Sequence, residues 1–210
     1  IVVVATLTIG LAQELNEKTL RIYQHKFGEI HPRTADAYGA LGNVFMNTDN
    51  LEKAIFYFTK DKTIHEKLYG KNHPTLIYSY LSCGTTYNQL GDYNNAETEL
   101  NTAIYLVERN YSKNHALFST VAVELSKTLI EKRKFNKAEK LLAKTIQNES
   151  GKNTVELADA FYTLGECYLA QRNNKAAIPN FEKAEKLYRS IFDEKNIYSI
   201  DAFTGLSAAY

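Results

Sequence analysis

The stretch Tyr38-x-x-Leu41-Gly42-x-x-Phe45 sets a spacing of bulky and small residues that returns four more times in this 210-residue chain. The later copies begin, in order, at Tyr80, Ala122, Phe161 and Phe203. The steps between successive copies are 42, 42, 39 and 42 residues. Because a register kept over five copies is typical of repeat architectures, we expect an array of similar units rather than a globular domain with a single core.

A second pattern runs in phase with the first and pairs an alanine with a bulky residue four positions later. Its copies are Ala54-x-x-x-Phe58, Ala96-x-x-x-Leu100, Ala138-x-x-x-Leu142 and Ala177-x-x-x-Phe181. Residues four apart share one face of a helix, so this pattern predicts a second helix in each unit. The short polar breaks between the two patterns are rich in Asn, Asp and Gly, which favour turns. Each unit is therefore predicted to be helix, tight turn, helix.

These residues resemble the tetratricopeptide repeat, whose pattern is W-x2-L-G-x2-Y followed by A-x3-F. The resemblance covers residues 34–210 and, weakly, the helix from Leu11 to Phe27. It implies an all-α fold, a right-handed α-solenoid of antiparallel helix hairpins, and a non-catalytic scaffold that binds proteins. The period of 42 instead of 34, together with the Gly-x-x-His-Pro joints at Gly28 and Gly70, resembles the kinesin light chain subtype. The eight extra residues predict a second helix longer by about two turns.

The register also predicts how the chain is divided. We expect an incomplete first repeat at 1–33 with a helix at about 11–27, repeats at 34–74, 75–116, 117–155 and 156–197, and the first helix of a fifth at 198–210. The 39-residue step predicts an early end to the second helix near 147–153 and a changed twist between the third and fourth hairpins. The apolar run 1–9 is too short to span a bilayer, which takes about 20 residues. It is either part of the incomplete repeat or the remnant of a signal or anchor segment.

Composition and motifs argue against several classes of function. With 25 basic and 24 acidic residues the net charge is +1, so we expect no nucleic-acid partner. Two cysteines cannot build a disulfide framework. His31, His73 and His115 mark repeat joints, and we expect His25 and His65 to lack Cys or carboxylate neighbours at ligand spacing. We therefore expect no metal, no cofactor and, without a catalytic motif, no enzyme. The expected compartment is the cytoplasm, and no membrane contact is predicted for the repeats.

The resemblance places ligand contacts on the concave face of the first helices. The main candidates are Asp36, Asn43, Asn47, Tyr78, Leu81, Thr85, Asn88, Val123, Lys127, Ile130, Glu131, Asp159, Tyr162 and Glu166. The same faces also carry Gly39, Ala40, Met46, Ser82, Gln89, Thr120, Glu124, Thr163, Leu169 and Ala170.

Some family members clamp an acidic C-terminus with lysines on this face. The matching positions here are Gly39, Leu81, Val123 and Tyr162, so that clamp is absent. Apolar and acidic residues dominate instead, and they predict a peptide with apolar anchors and basic residues. The alternative is a sensor or regulatory module of a larger protein that carries a protease, kinase or ATPase effector.

Overall fold

The computed structural model describes residues 2–111, 115–192 and 197–210, with side chains omitted for 2–9, 197 and 199. Within those residues the chain is helical and contains no β-strand, as the two patterns predict. The helices are α1 (Val2–Phe27), α2 (Pro32–Asn47), α3 (Leu51–Tyr69), α4 (Leu76–Gln89), α5 (Tyr93–Asn110), α6 (Ala116–Glu131), α7 (Phe135–Glu149), α8 (Val155–Ala170), α9 (Asn174–Ile191) and α10 (Ile197–Ala209).

The four tight turns inside the hairpins share one backbone conformation. The residues with positive φ in these turns are Asp49 (58°), Gly91 (76°), Arg133 (55°) and Arg172 (59°). The next backbone N–H in each turn donates to a carbonyl five residues earlier, for example Asp92 N to Tyr87 O at 2.9 Å. This bond satisfies a carbonyl that the end of the first helix leaves without a partner. Glycine adopts the left-handed backbone conformation at no steric cost. Asp49, Arg133 and Arg172 hold the same conformation with modest backbone strain.

The two sequence patterns meet at the centre of each hairpin. A Cβ built on Gly42 would lie 2.5 Å from the ring of Phe58, and one on Gly84 would lie 2.5 Å from Leu100. Such distances leave no room for a side chain, so the glycine permits the two helices to pack closely. Phe58 is 2% exposed and Leu100 is fully buried. The predicted pairing of small and bulky residues is confirmed at these positions.

The chain forms two compact units, Ile1–Asn110 and Tyr111–Tyr210. The N-terminal unit contains α1 to α5, and its core includes Leu41 and Phe58. The C-terminal unit contains α6 to α10, and its core is formed by several clusters that include Leu142 and Phe181. Each unit therefore has its own buried apolar contacts between successive helices.

The joints that precede α2, α4 and α6 pair an aromatic ring with a histidine four residues later. The stacked pairs are Phe27–His31 at 4.5 Å, Tyr69–His73 at 4.6 Å and Tyr111–His115 at 4.2 Å between ring centroids. The imidazole also caps the next helix, because Nδ1 of His31 accepts the N–H of Arg33 at 3.2 Å. His115 accepts the N–H of Leu117 at the same distance. These histidines are structural, as their position in the repeat predicts.

The joint before α8 differs, as the shorter repeat step predicts. Helix α7 has 15 residues, whereas α5 and α9 have 18 each. At the joint Thr154 replaces histidine, and its Oγ1 accepts the N–H of Leu157 at 3.3 Å. The early end of the helix is confirmed, while the changed twist and the repeat boundaries stay predictions.

Helix α1 begins earlier than the sequence pattern predicts, at Val2 instead of near residue 11. The pattern did not predict this N-terminal extension because residues 2–9 lack helical periodicity. Extending an existing helix nevertheless costs little free energy. Over the described part of the chain, no helix combines the length and hydropathy needed to cross a membrane.

Candidate functional site

A groove in the C-terminal unit brings together residues from two first helices, α6 and α8. Its volume is about 550 Å³, within the range of ligand pockets in proteins. The lining residues are Lys127, Ile130, Glu131, Tyr162, Glu166, Leu169 and Ala170. All seven occupy positions that the sequence places on the ligand-facing side. The geometry therefore groups seven of the twelve positions predicted for this unit around one concavity.

Tyr162 forms part of the groove wall, and a ring on α9 supports it. Its ring packs against Phe181 with the centroids 5.5 Å apart. Its hydroxyl bonds to the carboxylate of Glu166, and burial together with that negative charge raises the pKa of Tyr162. The phenol therefore stays protonated and donates to Glu166 over the physiological pH range.

Lys127 is the cation that lines the groove, and it is already paired. Its Nζ lies 2.7 Å from Oε1 of Glu124, one turn earlier on α6. Partial burial by itself would lower the pKa of Lys127, but Glu124, Asp159 and Glu166 outweigh it and raise the pKa. The lysine therefore remains charged and does not neutralise every carboxylate around it.

Two carboxylates of α8 sit in places that disfavour their charged form. Burial raises the pKa of Glu166, and Glu131 and Asp201 act in the same direction against the opposing influence of Lys127. Burial likewise raises the pKa of Asp159, although the hydroxyl of Tyr188 donates to its Oδ1 at 2.5 Å. The groove is thus an acidic site in which negative charge is incompletely compensated.

Other predicted contact residues of this unit are less available to a ligand. Val123 is only 3% exposed and Thr163 is fully buried, so both pack between helices. Asp159 is half-buried and held by Tyr188. The position of a residue in the repeat does not show whether its side chain is buried or lines the groove. That depends on the size of the side chains around it.

The predicted contacts of the N-terminal unit lie on α2 and α4. Four are exposed, namely Asp36, Asn43, Asn47 and Tyr78. Three are half-buried, namely Leu81, Thr85 and Asn88. The two helices meet where Oγ1 of Thr86 donates to Sδ of Met46 at 3.5 Å. Apart from Asp36, the polar groups of this face are amides and hydroxyls, and Asn43 and Thr85 stand where the C-terminal unit has the charged Lys127 and Glu166.

A buried polar cluster in the N-terminal unit corrects the prediction for His65. Asp61 precedes His65 by one helical turn, and its Oδ1 lies 3.0 Å from Nδ1 of the imidazole. The hydroxyl of Ser79 donates to the other oxygen of Asp61 at 2.5 Å. The contact with Asp61 raises the pKa of His65, against the effect of burial, and Asp36 at 3.9 Å acts in the same direction. The i, i+4 spacing was the signal that a carboxylate neighbour exists.

The hydroxyl of Ser79 and the thiols of Cys83 and Cys167 are all buried. The Ser79 hydroxyl donates to the carboxylate of Asp61 and not to the imidazole of His65. Burial raises the pKa of Cys83 to about 12 and that of Cys167 to about 11, which leaves both thiols protonated. Among the residues described, no group of three or more His, Cys, Asp or Glu side chains has the geometry to hold a metal.

Sequence profiles of the tetratricopeptide repeat match residues 34–75 with one form of the repeat and residues 77–108 and 158–191 with another. Together these segments cover half of the chain, and they coincide with the α2–α3, α4–α5 and α8–α9 hairpins. The chain belongs to the tetratricopeptide repeat family. None of the curated protein sequences compared with it gives a significant match.

Solved structures share the fold of this tetratricopeptide repeat chain at low sequence identity. The repeats of a kinesin light chain-like protein from Podosopora anserina superpose with a TM-score of 0.75 at 15% identity, covering 90% of this chain and 91% of the other. BtubC (BKLC) from P. vanneervenii gives 0.77 at 16% identity, covering 96% and 83%. YrrB, described as having an unusual peptide-binding site, gives 0.57 at 19% identity, covering 97% and 87%. The all-α solenoid class is confirmed, and kinesin light chain-like repeats are among the structures that share the fold.

Proposed function

We propose that this chain is a non-catalytic interaction module that binds a peptide or protein segment in the groove between α6 and α8. Tetratricopeptide repeats are in general protein-interaction modules, and a peptide-binding member is among the structural relatives. The observation that carries the proposal is the convergence, around one concavity, of seven residues at positions predicted to face a ligand. Apolar side chains at its wall provide contact area, and carboxylates at its edge provide orientation.

A peptide selection on the intact chain tests this proposal. Twelve-residue peptides displayed on phage would be selected against the 210-residue protein, and the winners measured by calorimetry. Ala170→Gln places a larger neutral side chain in the groove, and glutamine is a good helix former. Ala143→Gln is the matched control, because Ala143 is exposed on α7 and lies outside the groove.

We expect Ala170→Gln to weaken the selected peptides by about tenfold, equivalent to about 1.4 kcal/mol, while Ala143→Gln leaves their affinity unchanged. Circular dichroism of both variants checks that the helices remain intact. Equal effects of the two substitutions, or a selection that yields no binder, would remove the groove as the functional site.

A further inference from the structure

We propose that the segment bound in this groove inserts an arginine or lysine side chain between Glu131 and Glu166 and lays an apolar neighbour against Ile130 and Leu169. This inference rests on the proposed function, since it assigns the chemistry of the ligand to the same groove. It also states the source of selectivity, which is charge at one edge of an otherwise apolar wall.

The first argument is the excess of negative charge around the groove. The carboxylates that line it or act on its side chains are Glu124, Glu131, Asp159, Glu166 and Asp201. Within the lining itself, the ammonium group of Lys127 stands against two carboxylates, those of Glu131 and Glu166. A concave surface that carries one sign of charge concentrates its field and attracts ligands of the opposite sign.

The second argument is that two of these carboxylates retain acceptor capacity. Glu124 is engaged by Lys127, and Asp159 receives the hydroxyl of Tyr188. Glu131 is exposed and makes no hydrogen bond or ion pair with the residues that the structure describes. A carboxylate offers about four lone-pair sites, so Glu166 keeps room for more donors beside the hydroxyl of Tyr162.

The third argument is the half-burial of Glu166. Its charged form is disfavoured by burial and by the nearby charges of Glu131 and Asp201, as the raised pKa reflects. A cation placed between Glu131 and Glu166 would offset both effects. A charge-assisted hydrogen bond in a partly buried site is also stronger than an exposed one.

The fourth argument concerns the surroundings of the bound cation. Ile130, Leu169 and Ala170 form an apolar wall beside the two carboxylates. The ring of Tyr162, fixed against Phe181, offers a face on which a guanidinium can stack. A basic residue would pair with the two carboxylates while an apolar neighbour packs against the apolar wall. An acidic segment would instead be repelled by the carboxylates.

Three fluorescein-labelled decapeptide libraries test the inference by fluorescence polarisation. All three share degenerate apolar positions around one central residue, which is arginine, citrulline or glutamate. Citrulline keeps the shape of arginine without its charge. We expect the arginine library to bind about tenfold more tightly than the citrulline library, and the glutamate library to bind most weakly. The gap between arginine and citrulline should shrink as salt screens the exposed charges.

Substitutions that change charge without changing size locate the effect. Glu131→Gln and Glu166→Gln should each reduce the preference for arginine, whereas Glu182→Gln, exposed on α9, should leave it unchanged. Lys127→Gln removes the competing cation and should strengthen binding of the arginine library. A change in that direction would not result from mere loss of structure.

The outcomes separate this inference from the proposed function. Equal affinity for arginine and citrulline, with binding still weakened by Ala170→Gln, would overturn the basic ligand and leave the groove as a binding site. Tighter binding of the glutamate library would likewise overturn it. Failure of all three libraries to bind would contradict the proposed function and this inference together.

Discussion

The two units place polar groups at equivalent positions of the repeat but use different chemistry there. In the N-terminal unit the position near the end of the second helix is His65, which meets Asp61. The equivalent position in α7 is Glu149, only 2% exposed, which accepts a hydrogen bond from Ser119 at 2.9 Å. In α9 it is Tyr188, which donates to Asp159. This position therefore carries a polar contact in three of the four hairpins, within α3 for His65 and between paired helices for Glu149 and Tyr188, whereas α5 has the buried Val107 there.

The sides of the two units that are predicted to face a ligand also differ in chemistry. The N-terminal unit has Asn43 and Thr85 where the C-terminal unit has Lys127 and Glu166. Neutral amides and hydroxyls do not discriminate between charged ligands, whereas a carboxylate does. We therefore expect charge selectivity to belong to the C-terminal unit.

We expect the largest loss of stability at Phe181, which belongs to the core and also supports the groove residue Tyr162. Phe181→Ala should cost about 3–5 kcal/mol of the unfolding free energy, because the ring is fully buried. The equivalent Phe58→Ala should cost a similar amount. Only Phe181→Ala should also weaken ligand binding, since Tyr162 packs on that ring. Hydrogen exchange resolved by helix gives the two stabilities, and polarisation with the arginine library gives the affinities.

A result in which both phenylalanine variants alter binding equally would contradict this division of roles. Phe181→Leu serves as the control, because leucine fills the equivalent position at Leu142 and retains much of the packing.

Buried hydroxyls should produce the next largest effect. Ser79→Ala removes the donor to Asp61, and Ser119→Ala removes a donor to Glu149. Each should cost about 1–3 kcal/mol, because a buried carboxylate oxygen is left without its partner. Ser126→Ala is the control, since that hydroxyl bonds only within its own helix, to the carbonyl of Ala122. Urea denaturation followed by hydrogen exchange would show which unit each substitution destabilises. An equal loss of stability in the three serine variants would contradict the role given to the hydrogen bonds with Asp61 and Glu149.

The pH dependence of stability should differ between the units. The pKa of His65 is raised in the folded state, so its contribution is fully present below the ordinary value of 6.5 and is lost as the pH rises through the folded pKa. His65→Gln should reduce the loss of stability that the N-terminal unit shows as the pH rises. Exchange rates measured between pH 6 and pH 9 give the comparison, and an unchanged profile in the variant would exclude His65 as the cause.

The C-terminal unit responds in a more acidic window. The folded-state pKa values of Glu166 and Asp159 are raised above 4.5 and 3.8, so protonation favours the folded state. This unit should gain stability from these two groups as the pH falls through their raised values. Glu166→Gln should reduce that gain, and thermal melts of the C-terminal unit from pH 7 to pH 4 measure it.

The smallest effect is expected at the helix caps of the joints. His31→Ala removes the acceptor for the N–H of Arg33 and should cost about 1 kcal/mol, whereas His31→Asn should retain most of the cap. His115→Ala should act similarly in the other unit. Melting temperatures of the three variants would show whether the two caps contribute alike.

Sequence alone predicted the helix pairs, their turns and the close approach at Gly42 and Phe58, because these depend on spacing along one helix or hairpin. All the side chains that line the groove lie at positions that the sequence assigns to the concave face, and their contact with a ligand stays a prediction. It did not predict that Val123 would be buried or that Tyr188 would hold Asp159, since both depend on how a first helix packs against its neighbours. Spacing on one helix offered a clue to the Asp61–His65 contact, but the part played by Ser79 required three-dimensional proximity.

The aromatic–histidine joints have a practical consequence for altering the length of the array. Each imidazole stacks on the aromatic ring four residues before it, and those of His31 and His115 also cap the helix ahead, so the residue count between ring and histidine is tightly constrained. Cutting and rejoining the gene at two such histidines, for example His31 and His73, would preserve both contacts. The segment between them is a ready-made cassette, and duplicating it is a direct route to longer arrays of this protein.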